Sequence, residues 1–438
     1  MIKSFFRPLL VAILRLEARL ILYRYQPKVV AITGSVGKTG AKEAITLALQ
    51  TVAVVRQSPK NYNTEMGILL TIIGVSHLRP HSFIWFRNIL HGLHLAVFRA
   101  PYPGWLVLEV GAEREGDIRN LSRWLRPDIA VFTSLPLVPA HVEFFSSPAA
   151  LFKEKSFLLA AVKRDGTIII NSDDEQIEAI IDKLVADKKL AGRKIIRVGW
   201  NKSAEIRMID YQLAESEMGK PRGLIGKVDY AGFTVTIHLD HLYGPHQLYV
   251  ILLALGVTLA GSFPLLPVTE VLASYYPPAG RGRLIEGLKD TFIFDDSYNA
   301  SPAAMIAALE TLKSFPAAGR KIAVLGDMLE LGAYAIEAHR EIGKVAAATA
   351  DLLITVGVRA KFIADGAVEA GWGKRKRWHF DEASIAGVVL QTMLKAGDVV
   401  LVKGSQALRL EKTVEEIMLH PEMKGVLLAR QEPEWQTH

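Results

Sequence analysis

The sequence predicts an α/β chain with two mostly parallel sheets, led by an amphipathic helix. Three observations carry this. The β-branched run Val29-Val30-Ala31-Ile32-Thr33 enters Gly34-Ser35-Val36-Gly37-Lys38-Thr39 and then a helix-forming stretch from Ala41 to Gln50, the strand, turn and helix order of an anion cradle. Beyond Pro277, strands at 291–294, 321–325, 352–356 and 399–402 alternate with helices near 301–314, 336–349, 383–395 and 409–418, as in a doubly wound sheet. Finally, 438 residues, 50% of them hydrophobic and 22% charged, suffice for two or three cored domains and exclude a disordered chain.

Residues 1–24 read as a helix carrying Phe5, Phe6, Leu9, Leu10, Ile13, Leu14, Leu20 and Ile21, interrupted by Arg7, Arg15 and Arg19. The interruptions argue against a spanning helix, and no small-residue cleavage site follows a clean apolar core. Two readings stand: a helix lying in the plane of a membrane, or one packed on the next domain with arginine stems covering apolar surface. After the first strand and helix come the polar turn Lys60 to Gly67 and an apolar helix from Ile68 to Val75. Residues 77–99, bounded by Pro80 and by Pro101 and Pro103, form a second basic amphipathic segment; His77, His81, His91 and His94 follow no metal-ligand spacing.

Strands follow at 105–110, 128–133 and 166–171, and 190–243 alternates in the manner of a small antiparallel section. A very apolar helix runs from Gly244 to about Leu259. The stretch Pro277 to Gly282 marks the boundary between domains. The organisation is therefore 1–28, a basic amphipathic helix; 29–278, a central domain with an inserted basic segment at 76–104; and 279–438, a C-terminal α/β domain. The run Lys374-Arg375-Lys376-Arg377 reads as a solvated loop.

The net charge of +7 is uneven. Residues 1–28 hold six Lys and Arg against Glu17, and residues 76–104 hold Arg79, Arg87 and Arg99 with no acid. Basic charge confined to two Leu-, Phe- and Trp-rich segments points to an anionic membrane surface and not to nucleic acid. There is no cysteine, which excludes disulfides, thiolate metal sites and a Cys nucleophile. A cytoplasmic location is expected, peripheral on the inner face of the membrane.

The glycine turn carries the chemistry. Backbone N–H groups at a helix N-terminus face an anion, Lys38 can reach terminal phosphate oxygens, and the Thr39 hydroxyl can sit on Mg²⁺. The strict G-x-x-x-x-G-K-[ST] spacing is not met, because Ile32 stands at its first glycine. Taken alone, the turn also suits an ordinary connection between strand and helix. Glu109 ends one apolar strand and Thr133 another, where open α/β sheets place ligands.

Further strings follow in order: Asn63-Thr64-Glu65-Met66-Gly67, Leu108-Glu109-Val110-Gly111, Ala140-His141-Val142-Glu143 with Lys155, Gly244-Pro245-His246, Gly280-Arg281, Asp295-Asp296-Ser297-Tyr298-Asn299-Ala300, Leu325 to Gly332, and Lys403-Gly404-Ser405. Over about residues 29–420 this set resembles the Mur ligase family, ATP-dependent enzymes that form amide bonds in cell-wall peptides. Within it, the set is most similar to the branch that adds D-alanyl-D-alanine.

The resemblance implies a P-loop-type central ATPase domain and a C-terminal Rossmann-like domain. It implies ATP and Mg²⁺, an acyl-phosphate intermediate, a peptide or muropeptide acceptor and a D-Ala-D-Ala-like amine. It gives catalytic roles to Lys38, Glu109, His141 and Lys155. Gly34, Ser35, Val36, Gly37, Lys38, Thr39, His246, Arg281, Asp296 and Asn299 would bind ATP. Thr39, Glu109, His141 and Lys155, the last as a carbamate, would bind metal. Asn63, Thr64, Glu65, Asp327, Met328, Glu330, Leu331, His339, Lys403 and Ser405 would bind substrate.

The sequence departs from the family at Gly40, at Ser134, and at Gln247, where an adenine-binding Asn is usual. Only 28 residues precede the first strand, where such ligases carry a domain for the UDP end of the precursor, so a lipid-linked acceptor stays open. Other readings are a ligase extending another polyamide or a cofactor, and a non-catalytic nucleotide-binding partner subunit.

Overall fold

The computed structural model describes residues 2–59, 62–75, 82–215, 221–373, 376–432 and 435. Lys60, Asn61, residues 76–81 with His77, Arg79, Pro80 and His81, and Lys374 and Arg375 lie outside the described residues, as do the side chains of Lys3, Phe5, Phe6 and Phe83.

The first sheet has nine strands built around β1 (Lys28–Thr33). On one side lie β3 (Trp105–Glu109) and then β2 (Val55–Gln57). On the other lie β4 (Ile129–Phe132), β5 (Thr167–Asn171), β6 (Lys194–Gly199), β7 (Ile206–Glu215), β8 (Pro221–Tyr230) and β9 (Phe233–Leu239). Pairing is parallel from β2 through β7 and antiparallel in β7–β9; the antiparallel section expected over 190–243 is confined to β7–β9, since β6 joins the parallel part of the sheet. The chain leaves β1 toward one edge and returns on its other side at β4. That reversal opens a crevice at the C-terminal ends of β1, β3 and β4.

Alternate residues of β1 feed two cores. Val29 and Ala31 face α1 (Ile2–Tyr25), α3 (Glu65–Ile73), α6 (Pro148–Ala161) and α7 (Glu175–Ala186). Val30 and Ile32 face α2 (Lys38–Gln50), α8 (Pro245–Ala260) and α9 (Leu265–Leu272). Burial on both faces explains the continuous apolar run, and each buried Val or Ile of it contributes roughly 1.5–3 kcal/mol. Two more helices, α4 (Ser82–Val97) and α5 (Asp117–Leu121), complete this half; α4 packs against α1.

The second sheet has the order β10-β11-β15-β12-β13-β14. Its parallel strands are β11 (Thr291–Asp296), β12 (Lys321–Gly326), β13 (Leu352–Val356), β14 (Arg377–Phe380) and β15 (Val399–Lys403). The edge strand β10 (Arg283–Gly287) runs antiparallel. Helices α10 (Pro302–Ser314), α11 (Ala335–Ala347) and α12 (Lys361–Glu369) cover one face, and α13 (Ala383–Met393) and α14 (Glu411–Ile417) the other.

Some elements differ from the sequence reading. The short strands β2, β10 and β14, which carry little periodicity, and the helices α5, α7 and α12 are absent from the sequence reading. Arg377 begins β14 and donates to the Ala364 carbonyl at 3.2 Å, so the basic run is not wholly a solvated loop.

Candidate active site

The glycine turn crosses from β1 to α2 under tight constraint. Gly34 has φ +141°, and a Cβ there would collide with Thr133 Oγ1; Gly37, at φ +84°, starts α2. Both conformations suit glycine alone. The turn is tied to the end of β4: Ser35 N donates to Ser134 O at 2.7 Å, and Thr133 Oγ1 to Val36 O at 2.6 Å.

Two ammonium groups converge on one carbonyl of this turn. Lys38 Nζ and Lys155 Nζ each donate to Gly34 O at 2.9 Å. Lys155 reaches it because Ser147 caps α6 and Leu151, Lys155 and Leu158 share its buried face. Burial draws Lys155 well below the ordinary lysine range, and the Lys38 charge lowers it further. Lys38 is also lowered, by burial first, with Glu109 opposing and Arg281 adding to the shift. Beside them Thr39 Oγ1 donates to Glu109 Oε2 at 3.0 Å, and Glu109 is 2% exposed.

The second sheet supplies a facing wall. Its register sets Asp296 opposite Lys403, and Lys403 Nζ lies 2.7 Å from Asp296 Oδ2 and 3.0 Å from Asn299 O. Arg281, between Gly280 and Gly282 (φ +70° and +77°), stacks its guanidinium on Tyr298 at 4.2 Å. His246, at the start of α8, lies 3.5 Å from Thr311 Oγ1, and burial pushes it down to about 4, so it is neutral at pH 7. Gln247 is occupied in the hinge: its Oε1 accepts from Tyr243 N and Gly244 N, and its Nε2 donates to Gly282 O at 3.3 Å.

His141 is held at φ +68°, and its Nδ1 pairs with the Glu330 carboxylate of the second sheet. Glu143 N also donates to Glu330 O at 3.2 Å. His141 is thus placed at the seam between the sheets. Asp327 Oδ1 accepts from Ala360 N at 2.6 Å, and Ser405 Oγ accepts from Leu329 N at 2.9 Å. Met328, Leu331 and His339 are fully buried, with Met328 N donating to His339 Nε2 at 2.9 Å. These three shape the loop from beneath and offer no surface to a substrate.

On the other flank, Asn63 O accepts from Gly111 N at 2.8 Å, and Thr64 caps α3. Glu65 Oε1 accepts from Arg15 Nε of α1 at 2.9 Å and from Trp124 Nε1 at 3.1 Å. Sequence reading found Glu65 but neither partner, because the contacts span 50 and 59 residues. Tyr298, inside the Asp-Asp-Ser-Tyr-Asn string, shows its contact with Arg281 only in the fold.

The sequence and the fold match known proteins. The Mur ligase middle domain model matches residues 88–258, and the model of the Mur ligase glutamate ligase domain matches residues 280–406, together more than half of the chain. The chain belongs to the Mur ligase family. It is an ATP-dependent acid–amino-acid ligase of the Mur type.

Among this Mur ligase's relatives, the UDP-N-acetylmuramoyl-tripeptide–D-alanyl-D-alanine ligase of Rickettsia prowazekii is 26% identical over 89% of this chain and 77% of its own. The enzyme of that name from Bacillus subtilis is 27% identical over 92% and 79%. The MurF ligase of Thermotoga maritima, solved with ADP, superposes with a TM-score of 0.74 at 27% identity, covering 93% of this chain and 83% of that one. Folylpolyglutamate synthase of Mycobacterium tuberculosis shares the fold at 14% identity, with a TM-score of 0.64 over 90% and 93%.

Proposed function

We propose that this Mur ligase joins a D-alanyl-D-alanine-like amine to the carboxylate of a peptidoglycan-type peptide precursor, through an acyl phosphate, at an anionic membrane surface. The observation that carries the reading is the convergence of Lys38 and Lys155 on Gly34 O beside the Thr39–Glu109 pair. The substrate class follows from the names of the relatives.

In the first step a carboxylate oxygen of the acceptor attacks the γ-phosphorus of ATP and the bond to ADP breaks. The amine nitrogen then attacks the acyl carbon, phosphate leaves, and the amine gives up a proton. Both steps crowd negative charge, so positioned cations matter most. Lys38 would neutralise β- and γ-phosphate oxygens, with Arg281 reaching the nucleotide from the junction between the halves. Neutral His246, Asp296 and Asn299 would hold the nucleotide from that side. Asn63, Thr64 and Glu65 would meet the acceptor. Asp327, Glu330, Lys403 and Ser405 would meet or orient the amine, with Met328, Leu331 and His339 supporting their loop.

Thr39 and Glu109 fit Mg²⁺, since one carboxylate and one hydroxyl beside a phosphate cradle are the hard-oxygen set this ion takes alongside substrate phosphates. Bound there, the ion would offset phosphate charge. Among the described residues no three His, Asp or Glu side chains gather around one point. His141, in the same half as Thr39 and Glu109, would help hold a second Mg²⁺, and closure of the two halves about Gly280–Gly282 would exclude water from the acyl phosphate. Lys155 suits carbamylation: its neutral amine would attack CO₂, forming an N–C bond and releasing a proton. The resulting anion would relieve the repulsion with Lys38.

The membrane reading is supported by inverted polarity in the α1–α4 pair. Leu9, Leu16, Leu20 and Tyr23 of α1, and Phe86, Leu90, Leu93 and Val97 of α4, are exposed, while Glu17 and Asn88 are buried. Arg19 and Arg24 of α1 and Arg87 of α4 are exposed as well, and the buried Glu17 is the helices' one acid. Among the described residues no helix is long and apolar enough to cross a membrane, so the pair would lie in the interface.

Hydroxylamine tests the intermediate. With ATP and acceptor but no amine, it should yield an acceptor hydroxamate; ATP consumption without hydroxamate would refute the acyl phosphate. Flotation with anionic vesicles tests the membrane reading, which fails if the intact chain shows no salt-sensitive binding.

A further inference from the structure

Two cavities adjoin at the N-terminal ends of β4 and β5, on the side of the first sheet opposite the glycine turn. The first, of about 480 Å³, is lined by Arg126, Lys163, Arg164, Lys188 and Arg193, with no carboxylate. The second, of about 510 Å³, shares Arg126 and Lys163 and extends to Lys28 and to Leu22 and Tyr23 at the end of α1. Its acid, Asp128, is already engaged by Lys163 at 2.9 Å, Lys28 at 3.4 Å and Val29 N at 2.9 Å. Arg126, Arg164 and Lys188 form no ion pair with any described carboxylate.

Arg193 is fixed in place. Its guanidinium donates to Val162 O at 2.8 Å, Lys189 O at 2.8 Å and Ala160 O at 3.2 Å. Burial lowers its affinity for a proton, and the neighbouring charges of Arg126 and Arg164 add to that. A concave wall of like charges focuses potential, and guanidinium forks suit phosphate oxygens. A bound dianion would offset this repulsion. Tyr23, 82% exposed, also ends the outward stripe of α1, so the trough opens where that stripe stops.

We propose that this trough is a second anion site, separate from the nucleotide site, that binds a phosphate-bearing group. The group is either the headgroup of an anionic lipid or a free phosphate or pyrophosphate. The chemistry is the same for each, and the site does not depend on the ligase reading.

The test uses the full chain saturated with ADP, so that the glycine turn is occupied. Inorganic pyrophosphate binding is measured by calorimetry, and binding to phosphatidylcholine vesicles containing phosphatidic acid by sedimentation. The variant R126Q/R164Q/K188Q changes three exposed side chains. The variant K361Q/K395Q/K412Q removes the same charge from exposed positions of the second sheet's half. Unchanged ADP affinity reports that each variant is folded.

The proposal expects at least one probe to bind the wild type, and to bind R126Q/R164Q/K188Q at least tenfold more weakly, with K361Q/K395Q/K412Q close to wild type. Loss of pyrophosphate binding alone assigns a free phosphate, and loss of vesicle binding alone assigns a headgroup. The proposal is overturned if neither probe binds the wild type, if R126Q/R164Q/K188Q binds both as well as the wild type, or if the control variant loses as much.

Discussion

Lys38 and Lys155 donate to the same carbonyl, Gly34 O, from helices more than a hundred residues apart. Two ammonium groups that close repel each other, and Lys155 sits well below the ordinary lysine range, chiefly through burial. Its unprotonated amine is therefore available at lower pH than that of a surface lysine. With ¹³C-labelled CO₂ the protein should show a carbamate carbon resonance that K155A lacks and that persists below the pH at which surface lysines lose theirs. A spectrum identical in K155A would remove Lys155 from the chemistry. Lys38, Thr39 and Glu109 were legible in the sequence because a short local string or a strand end carries each. Arg15 and Trp124 were not, because only the fold brings them to Glu65.

At the level of elements, the α1–α4 pair turns its polar residues inward. Glu17 packs against Gly92, has an unpartnered Oε2, and is raised by burial from 4.5 to about 7. A carboxyl raised in the folded state binds its proton more tightly there than in the unfolded chain. Its favourable contribution is present at low pH and is lost as pH rises through about 7. E17Q should therefore raise stability at pH 8, by roughly 1–3 kcal/mol, the usual cost of an unsatisfied buried polar group, and change it little at pH 4. Thermal melts at both pH values check this, and equal effects at both would contradict it. The sequence exposed the apolar content of these helices but not which stripe faces outward, because both faces of α1 are apolar and partner position decides between them.

For the whole molecule, the two sheets meet through His141–Glu330, Glu143–Glu330 and Gln247–Gly282. The His141 bond holds Glu330 below the ordinary carboxylate range. If this seam orients the amine, E330Q should lower kcat/KM for the amine by about tenfold, near the 1.4 kcal/mol worth of one charge-assisted bond, with ADP affinity unchanged. An equal loss of ADP affinity would instead mean a general disruption of the fold. Strand and helix alternation made both sheets legible. The insertion of β15 between β11 and β12, which pairs Asp296 with Lys403, was not, since strand order is set by long-range packing and not by local pattern.

The central claim is an ATP-driven amide bond made at the Gly34–Thr39 turn. It is tested most directly by mixing the full chain with ATP, Mg²⁺, D-alanyl-D-alanine and either UDP-linked or lipid-linked muropeptide, then following phosphate release and product mass. The account predicts phosphate release only when acceptor and dipeptide are both present, and a product equal to their sum less one water. K38A should slow turnover roughly 100-fold or more, as loss of a positioned transition-state cation does. Phosphate release indifferent to the acceptor, or turnover unchanged in K38A, would contradict it.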